Sequence, residues 1–399
     1  MKNLVLAGGK ASKELSVLIP PGRNKVLLKV LGKPIVYYSV TSLQRVNRSD
    51  TILVYRAGEE EVYREALAYS LEPITPVPQE RGSTVHEAVL AACRKLEDTD
   101  YFFLLFGDLI IEPDALTLLI STHLSEEPDA TVLAIPAVPK HIETYGLLVI
   151  NEYGYVEKVL EHSPYPNRYP VYIVGGAYIL PTWILDLLEK GFTLPQALDS
   201  MARKGKVKAI HWSGLWIDIG YPADLLEAVY QLLSKLKGVA ISDKAEVEKT
   251  AVIEGPVVIE EKAYIDHYTV IKGPAYIGRE SFIGAHSFIR EYADIEEKVR
   301  IGAYNEIKYS SIQPYAEFHS RVIVMNSIVG ERAVLESNIT TLNIIMNEEK
   351  AIRLRTHLAE KLGKEIKKMG TVIGYNSKIP TNTIINPGEI IKPNTIYRT

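Results

Sequence analysis

Isoleucine occupies every sixth position from residue 253 to residue 307 of this 399-residue chain. A period of six fits neither an α-helix nor a single amphipathic strand. It fits a coil with three short flat faces, each of which directs one aliphatic side chain into a central column that stacked coils bury. The same spacing returns near the C terminus, at Ile373, Ile379, Ile385 and Ile391. The pattern predicts a parallel β-helix over residues 238–399.

The two stretches of repeat are separated by a segment of different character. Residues 347–369 are rich in lysine, glutamate and leucine and contain no proline. This composition predicts a loop and a helix inserted into the β-helix. Its basic side chains are expected to form a solvated face.

Apolar runs of strand length alternate with helix-like stretches over positions 1–230. The runs are LVLAGG, DTILVYRA, DYFFLLFGD and DATVLAIPA. Continuous apolar strands alternating with helices predict a buried, mostly parallel sheet in an α/β domain. We place this domain at 1–237, with a hairpin formed by 147–150 and 155–160.

Charge and cysteine content exclude several classes of protein. The net charge is −4, which gives no support for a nucleic-acid or anionic-membrane surface. Cys93 is the single cysteine, so neither an internal disulfide nor a cysteine metal site is possible. No apolar run is long enough to cross a membrane, and we expect a cytoplasmic protein that binds neither nucleic acid nor membrane.

Candidate chemistry begins where the first strand ends, at Leu6-Ala7-Gly8-Gly9. Ligands of parallel sheets lie at the carboxyl ends of the strands, where glycine lets the backbone approach a phosphate. This motif alone is equally consistent with a tight turn.

Further motifs, in the same order along the chain, resemble those of the nucleoside-diphosphate-sugar pyrophosphorylases. These are Lys25 followed by LLKVLGKPIVYYSV, then LLFGD at 104–108, TYGLLVINEYGYVEKVLEHS at 144–163, VGGAYIL at 174–180 and LWIDIGYPADL at 215–225. The resemblance covers positions 1–230 and implies a Rossmann-like nucleotidyltransferase domain. It also implies the reaction of an NTP with a sugar 1-phosphate to give an NDP-sugar and pyrophosphate.

The resemblance assigns roles to individual residues. Asp108 and Asp218 would hold Mg²⁺, and Lys25 would stabilise the transferring phosphate. The structural alternatives are a helix cap for Asp108, a turn aspartate for Asp218 and an exposed loop lysine for Lys25. The implied nucleotide contacts are Ala7, Gly8, Gly9, Lys13, Arg23, Gly82 and Ser83. The implied sugar contacts are Gly146, Glu161 and Gly176.

The glycine-rich loop departs from the family pattern G-G-x-G-T-R-L. Lys13 stands in place of the arginine, and a lysine does not reproduce the bidentate fork of a guanidinium on phosphate. Arg23 is the alternative phosphate ligand. These departures favour a second interpretation, a non-catalytic regulatory or scaffolding paralogue that keeps the fold.

The repeat region is similar to left-handed β-helices of hexapeptide-repeat acyltransferases, and to archaeal bifunctional uridylyltransferase/acetyltransferases. This likeness implies a third interpretation, acyl transfer to an amino sugar phosphate with His319 as base. The alternative for His319 is a surface or inter-subunit histidine, because neighbouring family residues are replaced, as at Asn326. Flat β-helix faces need covering, so we expect a homo-oligomer, with a trimer favoured.

Overall fold

A computed structural model describes residues 1–136, 145–161, 171–344 and 368–398 of the protein. These residues pack into two compact units. The first combines Met1–Lys10 with Ile35–Asp218, and the second combines Ala11–Pro34 with the described residues from Ile219 onward. The predicted domains at 1–237 and 238–399 stay a prediction. Almost all of the predicted insertion at 347–369 lies outside the described residues.

Short strands and helices alternate along the chain as far as Leu233. The strands are β1 (Lys2–Leu6), β2 (Lys29–Val30), β3 (Lys33–Pro34), β4 (Thr51–Arg56), β5 (Ile74–Gln79), β6 (Tyr101–Phe106), β7 (Leu109–Ile111), β8 (Ala130–Pro136), β9 (Leu147–Ile150), β10 (Val156–Leu160), β11 (Val171–Pro181), β12 (Val207–His211) and β13 (Trp216–Asp218). The helices are α1 (Lys13–Ser16), α2 (Ile35–Val46), α3 (Glu61–Tyr69), α4 (Val85–Ala91), α5 (Cys93–Leu96), α6 (Pro113–Glu126), α7 (Ile184–Glu189), α8 (Leu194–Ala202) and α9 (Pro222–Leu233).

The first unit is built on one sheet with the order β10-β9-β11-β6-β1-β4-β5, in which β8 pairs with β11 and β12. Strands β5, β4, β1 and β6 are parallel, as are β8 and β12. Strand β11 runs antiparallel to β6, and β9 and β10 form the predicted hairpin. The α/β domain predicted from the apolar runs is therefore confirmed.

Strand β6 lies in the middle of this sheet, between β1 and β11. Its residues 102–105, FFLL, are fully buried, because the strand is covered on both faces. The strand gives way at Gly107, whose close approach to Ala7 leaves no room for a side chain. Asp108 follows that glycine at the carboxyl end of β6.

The C-terminal strands are short and follow one another closely. They are β14 (Val239–Ile241), β15 (Glu246–Val247), β16 (Val252–Glu254), β17 (Val257–Ile259), β18 (Tyr264–Ile265), β19 (Val270–Lys272), β20 (Ala275–Ile277), β21 (Phe282–Ile283), β22 (Phe288–Ile295), β23 (Arg300–Ile301), β24 (Glu306–Ile312), β25 (Glu317–Phe318), β26 (Val322–Met325), β27 (Ile328–Val329), β28 (Val334–Leu335), β29 (Ile339–Thr341), β30 (Val372–Ile373), β31 (Lys378–Ile379), β32 (Ile384–Ile385) and β33 (Ile390–Ile391). The pairings described among these strands are all parallel.

The register of these strands confirms the predicted β-helix and explains where the repeat loosens. Ile283 pairs with Ile301, and Ile301 in turn pairs with Phe318. The coil from Ile301 to Phe318 is therefore shorter by one residue than the coil from Ile283 to Ile301. This shortening breaks the six-residue period after Ile307, while the stacking of the coils continues. The repeated isoleucines line a buried core, as the pattern predicted.

No helix in the described ranges is long and apolar enough to cross a membrane.

Candidate active site

The two predicted metal ligands lie at the same end of a small antiparallel pairing of β7 with β13. Asp218, the last residue of β13, lies opposite Leu109. Leu109 directly follows Asp108 in the chain, and both aspartates are half-buried. Asp108 lies in the turn between β6 and β7, so the structure does not support the alternative of a helix cap.

Asp218 is bonded to one member of an aromatic pair, Tyr145 and Trp216. The hydroxyl of Tyr145 donates a hydrogen bond of 3.0 Å to Oδ2 of Asp218. Trp216 packs against the Tyr145 ring and donates from Nε1 to the carbonyl of Gly175 at 2.8 Å. We did not single out Tyr145 from the sequence, although it directly precedes a predicted sugar contact, Gly146. Its hydroxyl restricts the orientations open to the predicted metal ligand.

The glycines after β1 lie against the neighbouring strands. A side chain at Gly8 would come within 3.2 Å of the Arg56 amide nitrogen and 3.5 Å of Oε1 of Gln79. The Arg56 guanidinium donates to the Gly8 carbonyl at 3.4 Å. Gly9 is exposed, whereas Ala7 is buried. The sequence signal for Arg56 and Gln79 is only that each ends a strand on the same side of β1.

Gly82 and Ser83, which were predicted to contact the nucleotide, are exposed and precede α4. The carboxylate of Glu87 accepts from the amides of Ser83 and Thr84, each at 2.9 Å. A side chain at Gly82 would collide with that carboxylate. The hydrogen bond from the Thr84 hydroxyl, together with those amides, lowers the pKa of Glu87 to about 2. Thr84 and Glu87 form a capping box, a signal present in the sequence that we had not used.

The three predicted sugar contacts lie near one end of the β9-β10-β11 part of the sheet. The Gly146 carbonyl accepts from the Val174 amide at 2.9 Å. Gly176 is buried and has a φ of +68°, and a side chain there would collide with Phe106 and Leu109. Glu161 is exposed, accepts from the Thr193 hydroxyl at 3.3 Å and lines a cavity of about 830 Å³ beside α8. Neither glycine lines that cavity.

Lys25 belongs to the second unit and is buried, with 6% of its surface exposed. It begins a 3₁₀ helix, Lys25–Leu27, which the side chain of Asn24 caps by accepting from the Val26 amide. Its Nζ donates to the carbonyl of Ile219 at 2.9 Å. Ile219 is the residue that follows Asp218 in the chain. The burial and this hydrogen bond argue against the alternative of an exposed loop lysine.

The two candidate replacements for the missing arginine differ in their surroundings. Lys13 is exposed at the start of α1. Arg23 forms an ion pair with Glu331 of the β-helix, with 2.7 Å between Nη1 and Oε2. This guanidinium is therefore already engaged by a carboxylate in the structure.

His319 lies on the outside of the β-helix with about half of its side chain exposed. Its Nε2 is 3.8 Å from Oε1 of Glu317, and its backbone carbonyl accepts from the Asn305 side chain. A histidine beside a carboxylate is an arrangement found in general bases. Exposed pairs of this kind are also common on protein surfaces.

Oxygen ligands suit a hard divalent cation at Asp108 and Asp218. In the parts of the chain that the structure describes, no group of three or more histidine, cysteine, aspartate or glutamate side chains could hold a metal. Mg²⁺ in nucleotide enzymes commonly takes one or two carboxylates and completes its shell with phosphate and water. The two half-buried aspartates fit that requirement.

Comparison with known proteins decides the family. The nucleotidyl transferase family matches residues 2–235, more than half of the chain. The chain belongs to the nucleotidyl transferase family. The bacterial transferase hexapeptide repeat also matches, over residues 256–291.

Two relatives and one solved structure illustrate what this nucleotidyl transferase is similar to. The "Bifunctional protein GlmU" of Methanococcus maripaludis is 32% identical over 99% of this chain and 93% of its own length. A "Bifunctional sugar-1-phosphate nucleotidylyltransferase/acetyltransferase" of Sulfurisphaera tokodaii is 28% identical over 65% of this chain and 61% of its own. The structure of an Acinetobacter UDP-glucose pyrophosphorylase covers 59% of this chain and 94% of its own, with a TM-score of 0.50 and 18% identity, a likeness of fold alone. The predicted family and enzyme class are confirmed.

Proposed function

We propose that this nucleotidyl transferase joins an NTP to a sugar 1-phosphate and releases pyrophosphate. The observation that carries the proposal is the position of the two aspartates. Asp108 directly precedes Leu109, the residue that pairs with Asp218, and Tyr145 is hydrogen-bonded to Asp218. The relatives named as sugar-1-phosphate nucleotidylyltransferases support the choice of acceptor.

The reaction makes one bond and breaks one bond at phosphorus. An oxygen of the sugar phosphate attacks the α-phosphorus of the NTP in line, and the bond to the β-phosphate breaks. Little covalent help is required, so the protein contributes positioning and charge neutralisation. A divalent cation, for which we propose Mg²⁺, would supply Lewis-acid neutralisation of the phosphate oxygens when bound.

The proposal assigns a role to several of the predicted residues. Asp108 and Asp218 hold the cation, and Tyr145 keeps Asp218 in its rotamer. Lys25 provides a positive charge for the transferring phosphate, because a buried ammonium interacts more strongly than an exposed one. Gly8 and Gly9 allow the backbone to approach the nucleotide.

Pyrophosphate release tests the proposal directly. The assay combines four NTPs with several sugar 1-phosphates in the presence of Mg²⁺, for the wild type and for Asp108→Asn. Asp186→Asn is the matched control, because Asp186 is an exposed aspartate on α7. Release that needs both substrates, disappears in Asp108→Asn and persists in Asp186→Asn supports the proposal.

The regulatory or scaffolding paralogue is the alternative outcome of the same assay. If no pair of substrates turns over while calorimetry still detects nucleotide binding, the altered glycine-rich loop has removed the chemistry. The paralogue interpretation then replaces the enzymatic one.

Acyl transfer is a second activity that the bifunctional relatives and the pairing of His319 with Glu317 favour. We propose it as separate from nucleotidyl transfer, with an acyl thioester as donor and an amino sugar phosphate as acceptor. Release of free thiol that depends on the amino sugar phosphate and is lost in His319→Ala would support it. An unchanged rate in that variant would leave His319 as a surface residue.

We also propose that the β-helix forms a homo-oligomer, with a trimer favoured. Its coils present flat faces of parallel strands, which proteins commonly cover by assembly. Light scattering that gives the mass of one chain would contradict this.

A further inference from the structure

A tight hairpin follows the predicted catalytic lysine within the second unit. Strands β2 and β3 are joined by Leu31 and Gly32, which have φ angles of +49° and +76°. Positive φ at both central residues is typical of a type I′ turn, and leucine is a poor residue for that conformation. The turn therefore needs support from its surroundings.

Two fully buried carboxylates of the β-helix provide this support. Oδ1 of Asp294 accepts from the Leu31 amide at 3.3 Å. Oε2 of Glu296 accepts from the Gly32 amide at 3.0 Å. Both side chains flank the core residue Ile295, at positions that point away from the β-helix core. Burial of carboxyl groups is unfavourable unless specific hydrogen bonds compensate for it. The presence of two buried carboxyl groups here indicates that they serve to bind the hairpin amides.

Gln313 holds the first strand of the hairpin from the next coil. Its Oε1 accepts from the Lys29 amide at 3.1 Å, and its Nε2 donates to the Lys29 carbonyl at 3.0 Å. The same Nε2 donates to Ser311, whose hydroxyl donates to Oδ2 of Asp294. The two carboxyl groups and the Gln313 side-chain amide thus belong to one buried hydrogen-bond network that binds the hairpin backbone.

We propose that Asp294, Glu296 and Gln313 are positioning residues that hold Lys25 in place for nucleotidyl transfer. This inference rests on the proposed function of Lys25. The 3₁₀ helix that begins at Lys25 is joined to Lys29 through Leu28 alone. Displacement of a catalytic group by about 1 Å can reduce a rate by about 100-fold. On this proposal the β-helix influences nucleotidyl transfer through the position of Lys25.

Gln313→Ala and Asn305→Ala form a matched pair for the test. Both residues are buried amides of the β-helix that bond to backbone groups, but the Asn305 side chain bonds to β-helix backbone rather than to the hairpin. We expect Gln313→Ala to reduce kcat at least about 10-fold, with less change in KM for the NTP. Asn305→Ala, at comparable loss of melting temperature, should keep kcat within about two-fold. Equal effects of the two substitutions on kcat would overturn the proposal.

A double-mutant cycle separates positioning from a general structural effect. If Gln313 acts through Lys25, adding Gln313→Ala to Lys25→Ala should cost no further activity. Additive losses would contradict the proposal. If Lys25→Ala itself retains full activity, it is the proposed function of Lys25 that fails instead.

Hydrogen exchange tests the binding of the hairpin by the β-helix without an activity assay. In Gln313→Ala the amides of residues 25–33 should lose protection, while amides of the β-helix core keep theirs. Unchanged protection of residues 25–33 would overturn the proposal, whatever the activity of the variant.

Discussion

Tyr145 donates its hydroxyl proton to Oδ2 of Asp218 across 3.0 Å. This bond leaves fewer orientations for the carboxylate of Asp218, which we propose as a ligand of the cation. We expect Tyr145→Phe to raise the Mg²⁺ concentration at half-maximal activity by about 10-fold, since a hydrogen bond to a charged group contributes about 1.5–3 kcal/mol. A Mg²⁺ titration of initial rates measures this.

Tyr153→Phe is the control for that experiment. Tyr153 is 71% exposed on the turn between β9 and β10, so its hydroxyl has no comparable role. An unchanged Mg²⁺ requirement in Tyr145→Phe would mean that other groups orient Asp218.

The buried ammonium of Lys25 leads to a second prediction. Lys25→Met should reduce kcat by about 100- to 1,000-fold, the loss typical of removing one group that stabilises transition-state charge. Lys25→Arg should recover little activity, because the larger, planar guanidinium cannot replace a compact ammonium in a buried site. Steady-state kinetics, with Lys244→Met as an exposed lysine control, measures both.

A Lys25→Arg variant that works as well as the wild type would argue that only the charge at this position matters. The buried hydrogen bond from Nζ to Ile219 would then have no role in catalysis.

Isoleucine spacing was sufficient to predict the β-helix, because each hexapeptide places one side chain in the core whatever its neighbours are. The break in the period after Ile307 reflects coils that are shorter by a single residue, whose register only the structure reveals. The apolar runs likewise predicted the sheet, since strands buried on both faces leave little choice of residue.

The candidate active site was harder to predict from the sequence than the fold. Asp108 and Asp218 stand near strand ends and inside recognisable motifs. Tyr145 also lies inside a recognised motif, at 144–163, but the sequence alone offered no reason to assign it a role. The hydrogen bonds to the hairpin come from Asp294, Glu296 and Gln313, which are distant in sequence from the backbone amides they bind. Nothing local to those positions indicates that a distant turn buries them.

Gly32 offers a stability test with a close control in Gly205. Both have positive φ, +76° and +75°, so alanine at either position should cost about 1–2 kcal/mol of unfolding free energy through backbone strain. A side chain at Gly32 would also collide with the Tyr276 hydroxyl, whereas Gly205 has open space around it. Overpacking adds about 1–3 kcal/mol.

Denaturant unfolding of the two alanine variants measures the difference. Gly32→Ala should lose clearly more unfolding free energy than Gly205→Ala. Equal losses would show that Tyr276 moves aside freely and that the turn is not tightly held.

The carboxyl pair under the hairpin gives a pH dependence of stability. Burial raises the pKa of Asp294 from its usual value of 3.8 to about 7, despite hydrogen bonds from Glu296, the Leu31 amide and Ser311 that favour the charged form. Burial and the neighbouring Asp294 also raise the pKa of Glu296, against the opposing effects of the Gly32 amide and the Lys29 ammonium. The folded protein therefore holds protons that the unfolded chain has released.

Stability linked to a raised pKa is fully present below the unfolded value and is lost as the pH rises through the folded value. For Asp294 this window runs from about pH 4 to about pH 7. Relative to Asp294→Asn, the wild type should lose at least about 1 kcal/mol of unfolding free energy across it, the equivalent of one pKa unit. Urea unfolding at several pH values measures the difference, with the exposed Asp243→Asn as control. A difference between wild type and Asp294→Asn that stays constant across this window would show that Asp294 titrates normally and carries its charge in the folded state.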